Sequence, residues 1–281
     1  MRLGLHIRIA KGLQNGLVQA EELGCESVQF FSSNPNSWKT GSLDPESAAE
    51  YVRRAAELEI YPTILHTPYL LNLASPNPDF WNNTVRLLKF ALERAELLSA
   101  AYVVSHIGSY KDTSYEKGIE RICLAVKTAL DEATSSAMLL LEAGSGAGNT
   151  IGSTFNELAD IFAGMPRGIP PVGVALDTAH LWASGYDISS KDNLEGVISD
   201  FDQTVGLSRL KVIHLNDSRQ QLGSKTDRHW HIGDGQIGLD GFRAVVNHPG
   251  IVDLPGIAET PGRDLQQDKI NLNTLKELRA I

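Results

Sequence analysis

The chain has 281 residues, 42% of them hydrophobic and 21% charged, and a formal net charge of −9. That length suits one large core of the size a (β/α)8 barrel needs, about 250 residues, and no apolar stretch reaches the roughly 20 residues that cross a bilayer. The acidic balance excludes a protein that holds nucleic acid through bulk positive charge.

In chain order, short apolar runs alternate with amphipathic stretches. The run 3–6 ends in His6 and is followed by a helical stripe over 12–23, with Leu13, Leu17, Ala20 and Leu23 on one side. The run 27–31 comes next. Asp44-Pro-Glu-Ser then opens a helix with a capping residue and proline at its first position. The run 62–66 ends in His66, 102–106 in His106, 138–142 in Glu142, 172–177 in Asp177, 212–214 in His214 and 256–259 in Glu259. Helical spacing fills the intervals over 77–97, 115–133, 155–162, 197–206, 239–246 and 264–278.

A continuous apolar run is the signature of a strand buried on both faces. Strand–helix alternation repeated about eight times predicts a parallel sheet with helical crossovers. Ligand-type residues end strands from the first to the last, whereas an open sheet concentrates its site at one switch point. The expected architecture is therefore a closed (β/α)8 TIM barrel, a single domain over 1–281, with its site at the C-terminal ends of the strands. No linker or low-complexity segment divides the chain. The N-terminus runs straight into a strand with no h-region, which gives the expectation of a cytoplasmic location. Cys25 and Cys123 are expected to be free buried thiols.

The strand-end residues His66, His106, Glu142, Asp177, His214 and Glu259 combine imidazole and carboxylate, a donor set suited to zinc, manganese or iron. One histidine after a strand is usually structural. Six such residues in register are different, because buried charges must be paired or metal-bound. Asp177-Thr-Ala-His180 adds two polar groups at one turn, although Asp177 also suits a helix cap. In Asp227-Arg228-His229, residues two apart in an extended loop face one side, so Asp227 and His229 converge while Arg228 points away, free to meet a phosphate. His231 continues the alternation and remains open between ligand, supporting donor and structural residue. Several divalent ions would offset most of the formal negative charge at one face, making that face attractive to phosphate. Gly144-x-Gly146 only imitates a dinucleotide fingerprint, since its third glycine is displaced. There is no Walker A sequence, nucleophile elbow or HExxH helix.

Leu176-Asp-Thr-Ala-His180, Ile213-His-Leu-Asn-Asp217 with Gly223-Ser224, Asp227-Arg-His-Trp-His-Ile-Gly-Asp-Gly235, Gly185-Tyr-Asp187 and His66-Thr-Pro-Tyr-Leu-Leu-Asn-Leu73 occur in this chain. In these motifs the chain resembles the endonuclease IV family of abasic-site DNA repair enzymes over nearly its whole length. The resemblance implies a TIM barrel with three zinc ions, one sometimes replaced by manganese. One ion would take His66, His106 and Glu142; a second would share Glu142 and add Asp177, His214 and Glu259; the third would take His180, Asp227 and His229. His231 falls outside the ligand set, and His6 lines the cavity or supports a ligand. The implied reaction is base-excision repair cleavage of the phosphodiester 5′ to an abasic site in double-stranded DNA, leaving a 3′-hydroxyl and a 5′-deoxyribose phosphate. Glu142 and Glu259 are the implied catalytic carboxylates, with Glu259 orienting water, and the family tends to act as a monomer. Tyr69 and Leu70 map to a loop that wedges into the duplex, and 32–38 to a second penetrating loop. Family members often carry lysine and arginine there, where this chain has Ser33 and Asn36. Arg8 and Lys11, near the first strand end, are the cations placed to compensate.

The competing expectation is a xylose-isomerase-like sugar isomerase or epimerase using one or two metals, which the acidic charge and uncharged loop suit. The trio His180, Asp227 and His229 separates the two, because a sugar isomerase has no need of it. A metal-dependent binding protein without turnover is a weaker third reading, since nine intact ligand positions are more than it requires.

Overall fold

The computed structural model describes residues 1–262 and 264–280. Its strands are β1 (Arg2–His6), β2 (Ser27–Phe31), β3 (Thr63–His66), β4 (Tyr102–His106), β5 (Met138–Glu142), β6 (Val172–Asp177), β7 (Leu210–His214), β8 (Asp217–Ser218), β9 (His229–Trp230) and β10 (Pro255–Ala258). All but β8 and β9 close into a parallel barrel in the order β1-β10-β7-β6-β5-β4-β3-β2. The short β8 and β9 pair antiparallel with each other.

The helices are α1 (Leu13–Leu23), α2 (Pro45–Glu57), α3 (Pro78–Leu97), α4 (Tyr115–Glu132), α5 (Phe155–Gly164), α6 (Thr178–Ser184), α7 (Lys191–Thr204), α8 (Gly238–Asn247) and α9 (Leu265–Leu278). Side chains of Asp44, Asn77, Ser114, Ser190 and Asp264 cap α2, α3, α4, α7 and α9, and Thr154 with Glu157 forms a reciprocal capping box on α5. Each such cap contributes about 1 kcal/mol.

Two helices differ from the sequence expectation. The helix placed at 197–206 begins earlier, at Lys191, where Ser190 accepts from the Asn193 amide. The segment after Asp177, read as a turn, is helix α6. Its residues 178–183 are all buried, so it has no polar face and hence no amphipathic period to detect.

Inside the barrel sits a plug of Ile64, Val104, Leu140, Ala175, Val212 and Ile257, all fully buried and separate from the larger core between strands and helices. Side chains two residues apart on a strand face the same way. The next inward positions are therefore His66, His106, Glu142, Asp177, His214 and Glu259, which form a polar layer directly above the plug. β6 and β7 slip register between Val174 and Ala175, after which Asp177 pairs with His214. On β1 the inward residue below His6 is Gly4, where an added Cβ would lie 1.9 Å from the Ser27 carbonyl oxygen. No helix among the described residues is long and apolar enough to cross a membrane. Cys25 and Cys123 are free and buried, and burial pushes the Cys25 thiol up to about 12.

Candidate metal centre

Glu142 is the hub of the polar layer. Its Oε2 lies 3.1 Å from both His66 Nε2 and His106 Nδ1, while its Oε1 lies 3.1 Å from His214 Nδ1 and 3.5 Å from His180 Nδ1. His229 Nε2 approaches Asp177 Oδ2 at 3.6 Å and Asp227 Oδ1 at 3.2 Å. Asp227 Oδ2 reaches His180 Nε2 at 3.2 Å, and Glu259 Oε2 lies 3.4 Å from His214 Nδ1. All nine residues selected as ligands from the sequence thus surround one basin. Among the described residues, three sets bring a ligand atom from each member within 4.8 Å of the others: His66, His106 and Glu142; Glu142, Asp177, His214 and Glu259; and Asp177, His180 and His229. The last set includes Asp177, and Asp227 lies against both of its histidines.

The imidazoles are oriented from behind. His66 Nδ1 is 2.7 Å from the Thr67 carbonyl oxygen, His180 Nδ1 is 2.9 Å from that of Ala143, and His229 Nδ1 is 3.2 Å from that of Glu259. A carbonyl only accepts, so each of these nitrogens donates and the opposite nitrogen faces the basin. Asp177 serves two structures at once. Oδ1 accepts from the Ala179 and His180 amides and caps α6, while Oδ2 accepts from Asn216 Nδ2 at 2.6 Å and faces the basin. The helix-cap and ligand readings of this residue are compatible because they use different oxygens.

The donor chemistry fits divalent cations. Glu142 and Asp177 are buried, Glu259 nearly so, and among the described residues none of these, nor Asp227, pairs with a lysine or arginine. His229 Nε2 is buried and, although Asp227 Oδ1 lies 3.2 Å away, makes no well-aligned hydrogen bond. Several carboxylates left without a permanent cation are costly unless protons or metal ions compensate them. In the metal-free protein, protons do so. Burial alone would raise the Glu142 carboxyl, but His106 and His214 hold it well below the usual carboxylate range. Burial likewise opposes charge on His214 and His229, yet the surrounding carboxylates lift each to about 9.

His231, left open by the sequence, lies outside the basin. The extended backbone ends at Trp230, and the Asp234 amide donates back to the His231 carbonyl in a turn. Its ring meets Asn271 on α9, with His231 Nδ1 3.2 Å from Asn271 Nδ2. The loop is knotted beneath by buried Asp217, whose carboxylate accepts from the amides of Gly233, Gly235 and Ile237. A Cβ at Gly235 would lie 2.4 Å from Asp217 Oδ1.

Tyr69 stands at the mouth, 60% exposed, with its ring 4.9 Å from Phe31 and near-parallel to His106 at 6.1 Å. Leu70 beside it is half-buried, and Asn36 and Arg228 are exposed. A cavity of about 890 Å³ runs from His6 and Glu259 past Tyr69 to Ser33, Lys39 and Arg8. Lys11 lies round the corner, in a smaller cavity of about 490 Å³.

Two residues bearing on the centre escaped the sequence reading. Asn216 links Asp177 to the Glu259 amide, and Gln29 links His214 to Glu259. Asn216 stood inside a recognised motif. Gln29 was hidden because it lies within its strand rather than at the end, two positions before Phe31.

The sequence pattern of the xylose isomerase-like TIM barrel family matches residues 17–281. The chain is 41% identical to "Probable endonuclease 4" of Natranaerobius thermophilus, covering 99% of this chain and 98% of that one. It is also 41% identical to the protein of the same name from Halothermothrix orenii, covering 97% and 99%. Endonuclease IV from Thermus thermophilus superposes with a TM-score of 0.86 at 34% identity, covering 99% of this chain and 98% of that one. A D-tagatose 3-epimerase-like protein, 18% identical, shares the fold at a TM-score of 0.72. With its barrel, its motifs and these relatives in agreement, the chain belongs to the endonuclease IV family.

Proposed function

We propose that the protein is a metal-dependent endonuclease that hydrolyses the phosphodiester 5′ to an abasic site in double-stranded DNA, leaving a 3′-hydroxyl and a 5′-deoxyribose phosphate. The observation that carries this reading is the third donor set. His180 and His229 converge with Asp227 beside the two sets built on Glu142, and a barrel that moves protons on a sugar has no need of it. The proposed assignment is three zinc ions, one replaceable by manganese, held by His66, His106 and Glu142; by Glu142, Asp177, His214 and Glu259; and by His180, Asp227 and His229. Bound divalent cations supply charge neutralisation for the phosphate and bring the pKa of water down to about 7.

The chain's own residues account for the rest. Glu259 holds Oε1 against His6 Nδ1 at 2.8 Å and keeps Oε2 toward the basin, where it orients the attacking water. Glu142, shared between two sets, fixes their relation. Arg228 is exposed beside Asp227 and His229 and meets a backbone phosphate. Tyr69 and Leu70 enter the gap left by the missing base, whose absence lowers the cost of unstacking the damaged nucleotide. No covalent protein nucleophile is required. The protein acts as a monomer in this reading.

The test is cleavage of a duplex oligonucleotide carrying one stable abasic-site analogue, against an undamaged duplex, by metal-replete and chelator-stripped protein. A single cut 5′ to the lesion, lost on stripping and restored by zinc, is the expected result. An uncut duplex at high enzyme and low salt would sink the reading. It would point to sugar isomerisation, the reading that the uncharged Ser33 and Asn36 favour.

A further inference from the structure

Gln29 is fully buried and faces the barrel interior at the level of His6, with which the β1–β2 register pairs it. Both ends of its amide are used. Nε2 donates to Glu259 Oε1 at 2.6 Å, and Oε1 lies 2.9 Å from His214 Nε2. An ionised carboxylate only accepts hydrogen bonds, so Glu259 decides which end of the amide faces it. The other end is then the carbonyl, and His214 must place its proton on Nε2 to meet it. That leaves His214 Nδ1 toward Glu142 Oε1 at 3.1 Å and Glu259 Oε2 at 3.4 Å, the nitrogen whose lone pair a bound cation would use. His66, His180 and His229 are oriented by backbone carbonyls, which the fold provides regardless of side chain. His214 alone among these four has a side-chain amide in that place. The same amide, together with His6, occupies Glu259 Oε1 and leaves Oε2 facing the basin.

We propose that Gln29 is a positioning residue for the set Glu142, Asp177, His214 and Glu259: it selects the His214 tautomer and fixes the Glu259 carboxylate, so that this set holds its divalent cation. The inference rests on the metal-dependent reading above but not on the substrate. A purely structural Gln29 would fill space and satisfy itself. A positioning Gln29 controls one ion and leaves the others alone.

The experiment compares wild type with Gln29→Met, a near-isosteric change that removes both hydrogen bonds. Each protein is stripped, checked for folding by circular dichroism, and titrated with zinc against a chromogenic chelator and with cobalt for its visible spectrum. The expected result is that one ion per chain weakens by about 10- to 100-fold while the others keep wild-type affinity. The cobalt bands of that ion should shift, and kcat should fall more than KM rises. Imidazole nitrogen NMR on zinc-loaded wild type gives a second reading that needs no variant: His214 should carry its proton on Nε2. Unchanged ion affinities and cobalt spectrum in Gln29→Met, or a His214 proton on Nδ1 in the loaded wild type, would overturn the proposal. A wild type that loads metal but leaves the abasic duplex uncut overturns the nuclease reading alone, and the ion comparison still decides Gln29. A wild type that takes up no ion overturns both.

Discussion

Asp227 Oδ2 lies 3.2 Å from His180 Nε2, so a half-exposed carboxylate of the loop before β9 closes over a buried imidazole of α6. Asp227 meets the basin through polar contacts. Replacing it with alanine should therefore leave the barrel folded, since little apolar area is lost. Metal analysis should find one ion fewer per chain, and abasic-site cleavage should fall by about 100-fold or more, the scale of losing one preorganised electrostatic contact. Full metal content with unimpaired cleavage would remove Asp227 from the site.

Metal uptake should release protons. Burial disfavours charge on His214, but Glu259 and Glu142 overcome it and raise its pKa to about 9; Asp177 and Asp227 do the same for His229. Both exceed the ordinary value of about 6.5, so both rings are protonated in the stripped protein at neutral pH, and a cation must displace those protons. Against its burial, Asp177, Asp227 and Glu142 hold His180 well above the ordinary value too, so calorimetric zinc titrations in buffers of different ionisation enthalpy should report about three protons released per chain at about pH 7, with apparent affinity rising as pH climbs toward the raised pKa values. The same shifts fix a stability trend. A pKa raised by folding stabilises fully below the unfolded value and loses that contribution as pH climbs through the folded one, here about 9. Melting temperature of the stripped protein should therefore drop across this window, and a rise instead would contradict the ion-paired description of the basin.

The uncharged penetrating loop gives a gain-of-function test. Ser33→Lys with Asn36→Arg should add up to two phosphate contacts. The slope of log affinity against log salt for an abasic duplex should then steepen by about 0.9 per contact, with little change in kcat. A slope equal to wild type would mean that the loop does not reach the backbone.

Far from the basin, Arg279 grips Glu26 through both guanidinium ends, at 2.7 and 2.8 Å, tying the end of the chain to the turn before β2. Burial alone would raise the Glu26 carboxyl, but Arg279 and the Leu3 amide hold it below its usual range. A depressed carboxyl stabilises above its unfolded pKa and loses that contribution as pH falls through the folded one. Glu26→Gln should thus cost about 1 kcal/mol at neutral pH, given the partial exposure of the pair. The difference from wild type, followed by urea denaturation, should shrink steadily as pH falls below the ordinary glutamate value of about 4.3. A difference that stays constant through full acid titration would rule out the ion pair as its source.

The barrel was legible because a buried parallel strand is an unbroken apolar word, and every such word here but β2 ends where a polar inward residue begins. His66, His106, Glu142, Asp177 and Glu259 stood out for that reason. Helix α6 was not legible, because burial on nearly every side erases its period. The alternation argument placed Asp227 and His229 on one side but does not extend to His231, where a turn replaces extended backbone. Gln29 escaped notice because a polar residue inside an apolar strand looks like a blemish until the facing strands supply its partners.

The plug and the ligand layer are consecutive inward positions of the same strands, so the top of the barrel wall is held by charge where the middle is held by hydrocarbon. Without cations, and at a pH above about 9 where His214 and His229 give up their compensating protons, repulsion among the carboxylates falls on the last residue of nearly every strand. Deuterium should then enter the amides of His66, His106, Glu142 and His214 before those of Ile64, Val104, Leu140 and Val212. In that order of exchange the stripped barrel frays from its rim while its waist stays closed.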